Sequence, residues 1–260
     1  TLEVIVTVFE REQHHDTSPY FFDRDHCPAN DTLAYEGKGT PIGYTGMIWN
    51  GFRPSDNACE LGYHIPANLF VVAMFKELLP YLPKHQAGLA QRMRQLIQAI
   101  ETGVAKYGYA TLSSGQTILA YEVDGLGNQL LMDDANVPSL LSLPFLGAMA
   151  ANDPLYMATR AYVLSANNPY YYTGTVLSGM GSNHTPKGYV WPIAIAMVGL
   201  TTDDRKVQAE ALAQIAATDA QTGQCHESVS ADEQTQYTRE WFSWANMTYC
   251  QLGLTWLGQR

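Results

Sequence analysis

The chain has 260 residues, enough for one large domain with a substantial core. Its formal charge is −10 and its pI is near 5.0, so polyanions are repelled on average, which excludes nucleic acid and anionic membrane surfaces as natural partners. Only 15% of residues are charged against 46% hydrophobic, where soluble domains usually carry about 25% charged, so the balance predicts buried apolar segments and not disorder.

In chain order, Thr1 stands inside an established helical pattern. Residues Pro19–Met47 are rich in Pro, Gly, Asp and Asn and read as mostly irregular. Gly51-Phe52-Arg53-Pro54-Ser55-Asp56 is a stiff loop, because Pro54 disfavours a helical residue before it and removes a donor. Asp56 either caps the helix that follows or serves in chemistry. Leu69–Leu79 is apolar almost all round and predicts a helix covered on every side. Met93, Leu96, Ile97, Ile100 and Val104 recur at helical spacing and predict an amphipathic helix. Ile118–Asn128 reads as a short β excursion turning at Asp124-Gly125.

Met132-Asp133-Asp134-Ala135-Asn136 precedes an apolar stretch read as a helix, so its acids either cap that helix or bind hydroxyls. Asn168–Pro186 is expected to be a loop, and Gly181–Pro192 leads from it into the apolar helix Val190–Leu200. In that passage His184, Tyr189 and Trp191 combine polar tips with flat apolar bodies, which suits a hydroxylated ring or a junction between loop and core. Val207, Leu212 and Ile215 mark a further amphipathic helix. Cys225-His226-Glu227-Ser228 lacks the second histidine of a zinc helix, because residue 230 is Ser. Tyr237–Asn246 places Thr238 as an N-cap and sets Trp241 and Trp244 on one helix face, with core packing as the default. The uncharged run Trp241–Gly258 just reaches the length of a membrane span, but its Ser, Asn, Thr and Gln residues make it a buried helix.

Cys27, Cys59, Cys225 and Cys250 contain no Cys-x-x-Cys pair, so neither a zinc nor a redox motif is present. Sequons at Asn30, Asn183 and Asn246 and the absence of a visible leader leave the compartment open. The chain also lacks a serine nucleophile elbow and a phosphate-cradling glycine loop. Carboxylates, histidines and aromatics in loops remain, and that set suits glycoside hydrolysis by two carboxyl groups. Fully buried helices alternating with half-buried ones predict an inner and an outer ring, an α/α toroid; an irregular helical bundle is the other solution.

Gly51–Asp56, Met132–Leu141, His184–Pro192, His226–Ser228 and Trp241–Asn246, with Tyr44–Met47 and Tyr121–Asn128, resemble in order glycoside hydrolase family 125, the exo-α-1,6-mannosidases. The resemblance implies an all-α, (α/α)6 toroid formed by residues 1–260 as one domain. It is expected to be incomplete, because the family's N-terminal part and its Trp-Leu-Arg-Asp motif have no counterpart. It also implies an inverting, metal-independent reaction without a cofactor, with Asp56 as general acid and Glu227 as general base. Arg53, Asp133, Asp134, Asn136, His184, Tyr189, Trp191 and His226 are the implied substrate-binding candidates. The implied substrate is an α-mannoside, drawn from an N-glycan or a mannan oligosaccharide. The family's Ser-Pro-His-Thr is Ser182-Asn183-His184-Thr185 here, an altered loop.

Inversion needs room for a water, so the two carboxyls are expected roughly 6.5–9.5 Å apart. A cation against a general acid would hold it ionised, so Arg53 is expected to face the sugar or another carboxylate rather than Asp56. A non-catalytic carbohydrate-binding remnant and an inverting α-glucosidase on the same toroid stand as the other readings.

Overall fold

The computed structural model describes residues 1–259. The chain divides into two compact units, Thr1–Leu131 with Leu146–Ala148, and Met132–Phe145 with Met149 onward. Helices carry the core of each unit. Short antiparallel strands, which the all-α expectation leaves out, occupy the connections between them.

The first unit is built on α1 (Leu2–Glu12), the short turn α2 (Ala34–Gly37), α3 (Ile65–Leu78) and α4 (Ala87–Tyr107). The apolar spacing along α4 places Met93, Leu96, Ile97, Ile100 and Val104 on one buried face, and α1 and α3 pack against this helix. Gly103 lies on α4 where the chain at Thr45 crosses; a Cβ there would sit 2.6 Å from the Thr45 carbonyl oxygen. His64 starts α3 by accepting the Ala67 N–H, and Pro66 occupies the first turn. Burial of α3 is one-sided: Ile65, Val72 and Phe75 are covered while Leu78 is exposed, so the expectation of all-round cover does not hold.

Strands β1 (Tyr63–His64), β4 (Glu122–Val123) and β5 (Gln129–Leu130) form one small sheet, and β2 (Tyr109–Thr111) pairs with β3 (Thr117–Leu119). The β4–β5 turn begins at Asp124-Gly125 as expected. One Asp124 carboxylate oxygen accepts the N–H groups of Leu126, Gly127 and Asn128. Burial alone would raise the Asp124 pKa, but these bonds and the Asn128 amide hold it below the usual carboxylate range.

The second unit contains α5 (Pro154–Val163), α6 (Pro192–Leu200), α7 (Arg205–Ala216) and α8 (Ser243–Trp256). Helix α6 has no polar face. It is buried along nearly its whole length and packs against both α7 and α8, with Gly199 admitting Leu252. Asp153 and Asp204 cap α5 and α7 by accepting N–H groups of their first turns. Strands β8 (Tyr189–Val190), β9 (Ser228–Ser230) and β10 (Tyr237–Thr238) form a sheet in the order β10-β9-β8.

Four expectations change here. The stretch after Met132 forms turns and not a helix. Asn168–Pro186 contains a hairpin, β6 (Tyr171–Thr173) paired with β7 (Ser178–Met180). Thr238 lies in β10 and caps nothing, since α8 starts later. Helix α8 is not enclosed: Ala245 and Leu252 are buried, but Trp244 is 52% and Met247 69% exposed, and neighbouring Trp241 is 63% exposed. The uncharged composition of this segment therefore does not translate into burial. Among the described residues no helix is long and apolar enough to cross a membrane.

Candidate active-site residues

Asp56 sits at the end of a tight loop. Phe52 and Ala58 form a β-bridge, Arg53 N–H donates to the Asn57 carbonyl at 2.8 Å, and Asp56 N–H donates to the Arg53 carbonyl at 3.0 Å. The turn places Asp56 at φ +68°, a region that Asp tolerates better than most side chains. Its carboxylate is exposed and, among the described residues, makes neither a hydrogen bond nor an ion pair. It is not a helix cap, because that task at α3 belongs to His64.

Arg53 turns inward. Its Nε donates to Glu122 Oε1 at 2.6 Å and its Nη2 to Glu60 Oε1 at 3.1 Å, while the side chain is only 1% exposed. The guanidinium thus engages other carboxylates and not Asp56. The second Glu122 oxygen accepts the N–H groups of Glu60 at 2.8 Å and Leu61 at 3.1 Å. Burial would lower the pKa of Arg53, but the charge and hydrogen bond of Glu122 raise it above its ordinary value, so the cation is permanent. The Cys59 thiol beside this pair is pushed well up by burial and by the Glu122 charge. His64, fully buried, is pushed down to about 3 by burial and by Arg53; its neutral Nδ1 is thereby kept as the acceptor that caps α3.

Glu227 lies immediately before β9, held by its backbone N–H, which is shared between the Thr238 and Arg239 carbonyls. The carboxylate is nearly buried and forms an ion pair with Arg239 Nε at 3.1 Å. Arg239 is itself at φ +43° and 62% exposed on its side chain. His226 is fully buried and stacks on Tyr237 with ring centroids 3.8 Å apart. Its Nδ1 meets the Glu240 carbonyl at 2.6 Å, which can only accept, so Nδ1 carries the hydrogen. Its Nε2 is buried with no hydrogen-bond partner.

Asp133 and Asp134 are fully buried and serve the fold. Asp133 accepts the N–H groups of Leu140 and Leu141, one on each oxygen, both at 2.9 Å. Burial pushes Asp133 up to about 8; the bonds from Leu141 and Leu140 pull against it, and the neighbouring Asp134 charge adds to it. Asp134 accepts the backbone and amide N–H groups of Asn136 and the Ser182 hydroxyl, the last at 2.6 Å. Asn136 Oδ1 remains buried without a partner. Trp191 is 1% exposed, donates to Thr185 Oγ1 and meets Phe242 edge-on, so its faces belong to the core. His184 and Tyr189 are half-buried.

The structure therefore groups the candidates by unit. Asp56 and Arg53 share one loop of the first, and Glu227, His226, Asp133, Asp134, Asn136, His184, Tyr189 and Trp191 belong to the second. Sequence reasoning assigned no role to Glu122, Glu60, His64 or Arg239. A usable signal for Glu122 existed: a lone acid inside the apolar run Ile118–Val123 must find a cation or donors when buried. Among the described residues no group of three His, Cys, Asp or Glu side chains is placed to hold a metal ion, and all four cysteines are free thiols.

An exposed acid on a braced loop and a second, ion-paired acid beside a strand are thus present among the described residues. The family model for metal-independent alpha-mannosidases (GH125) matches residues 1–254, and the chain belongs to that family. It is 39% identical over 236 residues to the meiotically up-regulated gene 157 protein of Schizosaccharomyces pombe, covering 90% of this chain and 46% of that protein. It also superimposes with a TM-score of 0.97, at 44% identity, on a Streptococcus pneumoniae protein solved as a non-productive substrate complex with alpha-1,6-mannobiose. That protein was described among widely distributed metal-independent alpha mannosidases in the processing of N-linked glycans. The match covers all of this chain and 62% of the streptococcal one. The chain thus spans less than two thirds of the length of either relative.

Proposed function

We propose that this chain carries the acid and the base of an inverting, metal-independent exo-α-1,6-mannosidase on an (α/α)6 toroid. Asp56 donates its proton to the glycosidic oxygen as the bond to the anomeric carbon breaks. Glu227 takes a proton from the water whose oxygen bonds that carbon. The supporting observation is the Asp56 loop: a carboxyl with no internal partner, presented by a backbone held at both ends and exposed among buried neighbours. Asn136 Oδ1 and His226 Nε2 add to it. An unsatisfied buried polar atom costs about 1–3 kcal/mol, and a substrate hydroxyl or an ordered water can satisfy each of these two. The substrate is a terminal α-mannoside of an N-glycan or mannan oligosaccharide.

The test uses α-1,6-mannobiose with wild type, Asp56→Asn and Glu227→Gln. Each variant should lose on the order of 10²–10⁴-fold in kcat while mannose binding measured by calorimetry persists. Full turnover by Asp56→Asn would refute the assignment. One other reading is carbohydrate binding without turnover. Mannose binding by wild type with no hydrolysis would select it. Preferential release of glucose from an α-glucoside would instead select the glucosidase.

A further inference from the structure

Two separate stretches of the Asp56 loop converge on one buried side chain. Arg53, three residues before Asp56, reaches Glu122 Oε1 through Nε at 2.6 Å. Glu60 and Leu61, beyond Asp56, donate their backbone N–H groups to Glu122 Oε2 at 2.8 and 3.1 Å. Glu122 is wholly buried on β4, where pairing with His64 of β1 and Leu130 of β5 fixes its backbone on both sides. Between these anchors Asp56 has no side-chain bond of its own and sits at positive φ, so its direction is set by the loop and not by a local partner.

We infer that Glu122 is a positioning residue for Asp56: one buried carboxylate clamps the incoming and outgoing arms of the loop and thereby aims the acid. This rests on Asp56 being the proton donor. A carboxylate suits the task because its two oxygens bind the arms independently while its charge matches a permanent cation. Glutamine keeps the shape but places an N–H₂ against either the guanidinium or the backbone donors, so one arm of the clamp is lost.

The experiment compares two mannosides on the full-length protein. Release from α-1,6-mannobiose needs a well-aimed proton, because its leaving group is a poor alkoxide. Release from 2,4-dinitrophenyl α-mannoside scarcely needs one. Glu122→Gln should lose about tenfold or more in kcat on the disaccharide beyond any loss on the aryl mannoside. Glu60→Gln, which removes only an exposed partner of Arg53, should leave the ratio of the two rates near wild type. Equal losses on both substrates would mean that Glu122 supports only the fold and would overturn the inference. If Glu122→Gln does not fold, Arg53→Lys provides the same reading, since lysine keeps the charge but cannot reproduce the guanidinium geometry. Asp56→Asn on the same pair separates the two proposals. No substrate dependence there defeats the acid assignment; dependence there but not in Glu122→Gln or Arg53→Lys defeats this inference alone.

Discussion

At the scale of single residues, backbone and chemistry make separable demands. Asp56 occupies left-handed backbone, which Asn tolerates as well as Asp does, whereas Ala adds roughly 1 kcal/mol of strain. Asp56→Asn should therefore melt within a degree or two of wild type while losing turnover, and a collapse in Tm would show that the carboxylate has a structural partner in solution. His64 titrates in a window that can be isolated. Its folded pKa of about 3 lies below the unfolded value near 6.5, so below 6.5 the unfolded chain binds the extra proton. The stability contributed by neutral His64 is present above pH 6.5 and drains away toward pH 3, by up to a few kcal/mol. Asn can also cap a helix but does not titrate, so thermal melts of His64→Asn should fall less steeply between pH 6.5 and 3 than those of wild type. Parallel profiles would show that His64 is not the neutral cap described above. Asp133 works in the opposite direction. Its folded pKa is raised, so it erodes stability as pH rises from about 4 to 8.

At the scale of elements, periodicity was legible in α4 but not in α3, whose one-sided burial its nearly all-apolar sequence hid. The spacing of Met93, Leu96, Ile97, Ile100 and Val104 located the buried face of α4, and Asp124-Gly125 located the β4–β5 turn. Hydrophobic content without a period was a poor guide: α6 is buried as its composition suggests, yet α8, also uncharged, leaves Trp244 and Met247 in solvent. Ser243, Asn246, Thr248 and Gln251 of α8 have no counterpart in the wholly apolar α6, and tertiary neighbours decide which side of α8 is covered. The same limit hid the site. The Gly51–Asp56 motif marked Asp56, but the partner of Arg53 is Glu122, remote in sequence and brought near only by β1–β4 pairing. Glycines give a test at this scale. Helix propensity alone favours Ala over Gly by up to about 1 kcal/mol. Gly253→Ala in α8 has open space around the new methyl and should gain about 0.5–1 kcal/mol. Gly103→Ala in α4 drives a methyl toward the Thr45 carbonyl and should instead lose about 1–3 kcal/mol. Urea unfolding of both variants checks the opposite signs, and stabilisation by Gly103→Ala would mean that Thr45 yields freely.

At the scale of the whole molecule, the roles proposed for Asp56 and Glu227 have a stereochemical consequence. If Glu227 activates water and forms no bond to sugar, a single displacement occurs at the anomeric carbon and the configuration inverts. An α-mannoside then releases β-mannose first, and the α-anomer grows in only by mutarotation. Proton NMR of the anomeric region in the first minutes of hydrolysis distinguishes the outcomes, and α-mannose as the initial product would require a covalent glycosyl-enzyme and a nucleophile in place of a base. The same chemistry makes proton transfer, not a Lewis acid, the source of leaving-group activation. EDTA should therefore leave the initial rate unchanged. A rate that fell in EDTA and returned with calcium or zinc would transfer leaving-group or water activation from these carboxyls to a bound cation, and with it the roles proposed for Asp56 and Glu227.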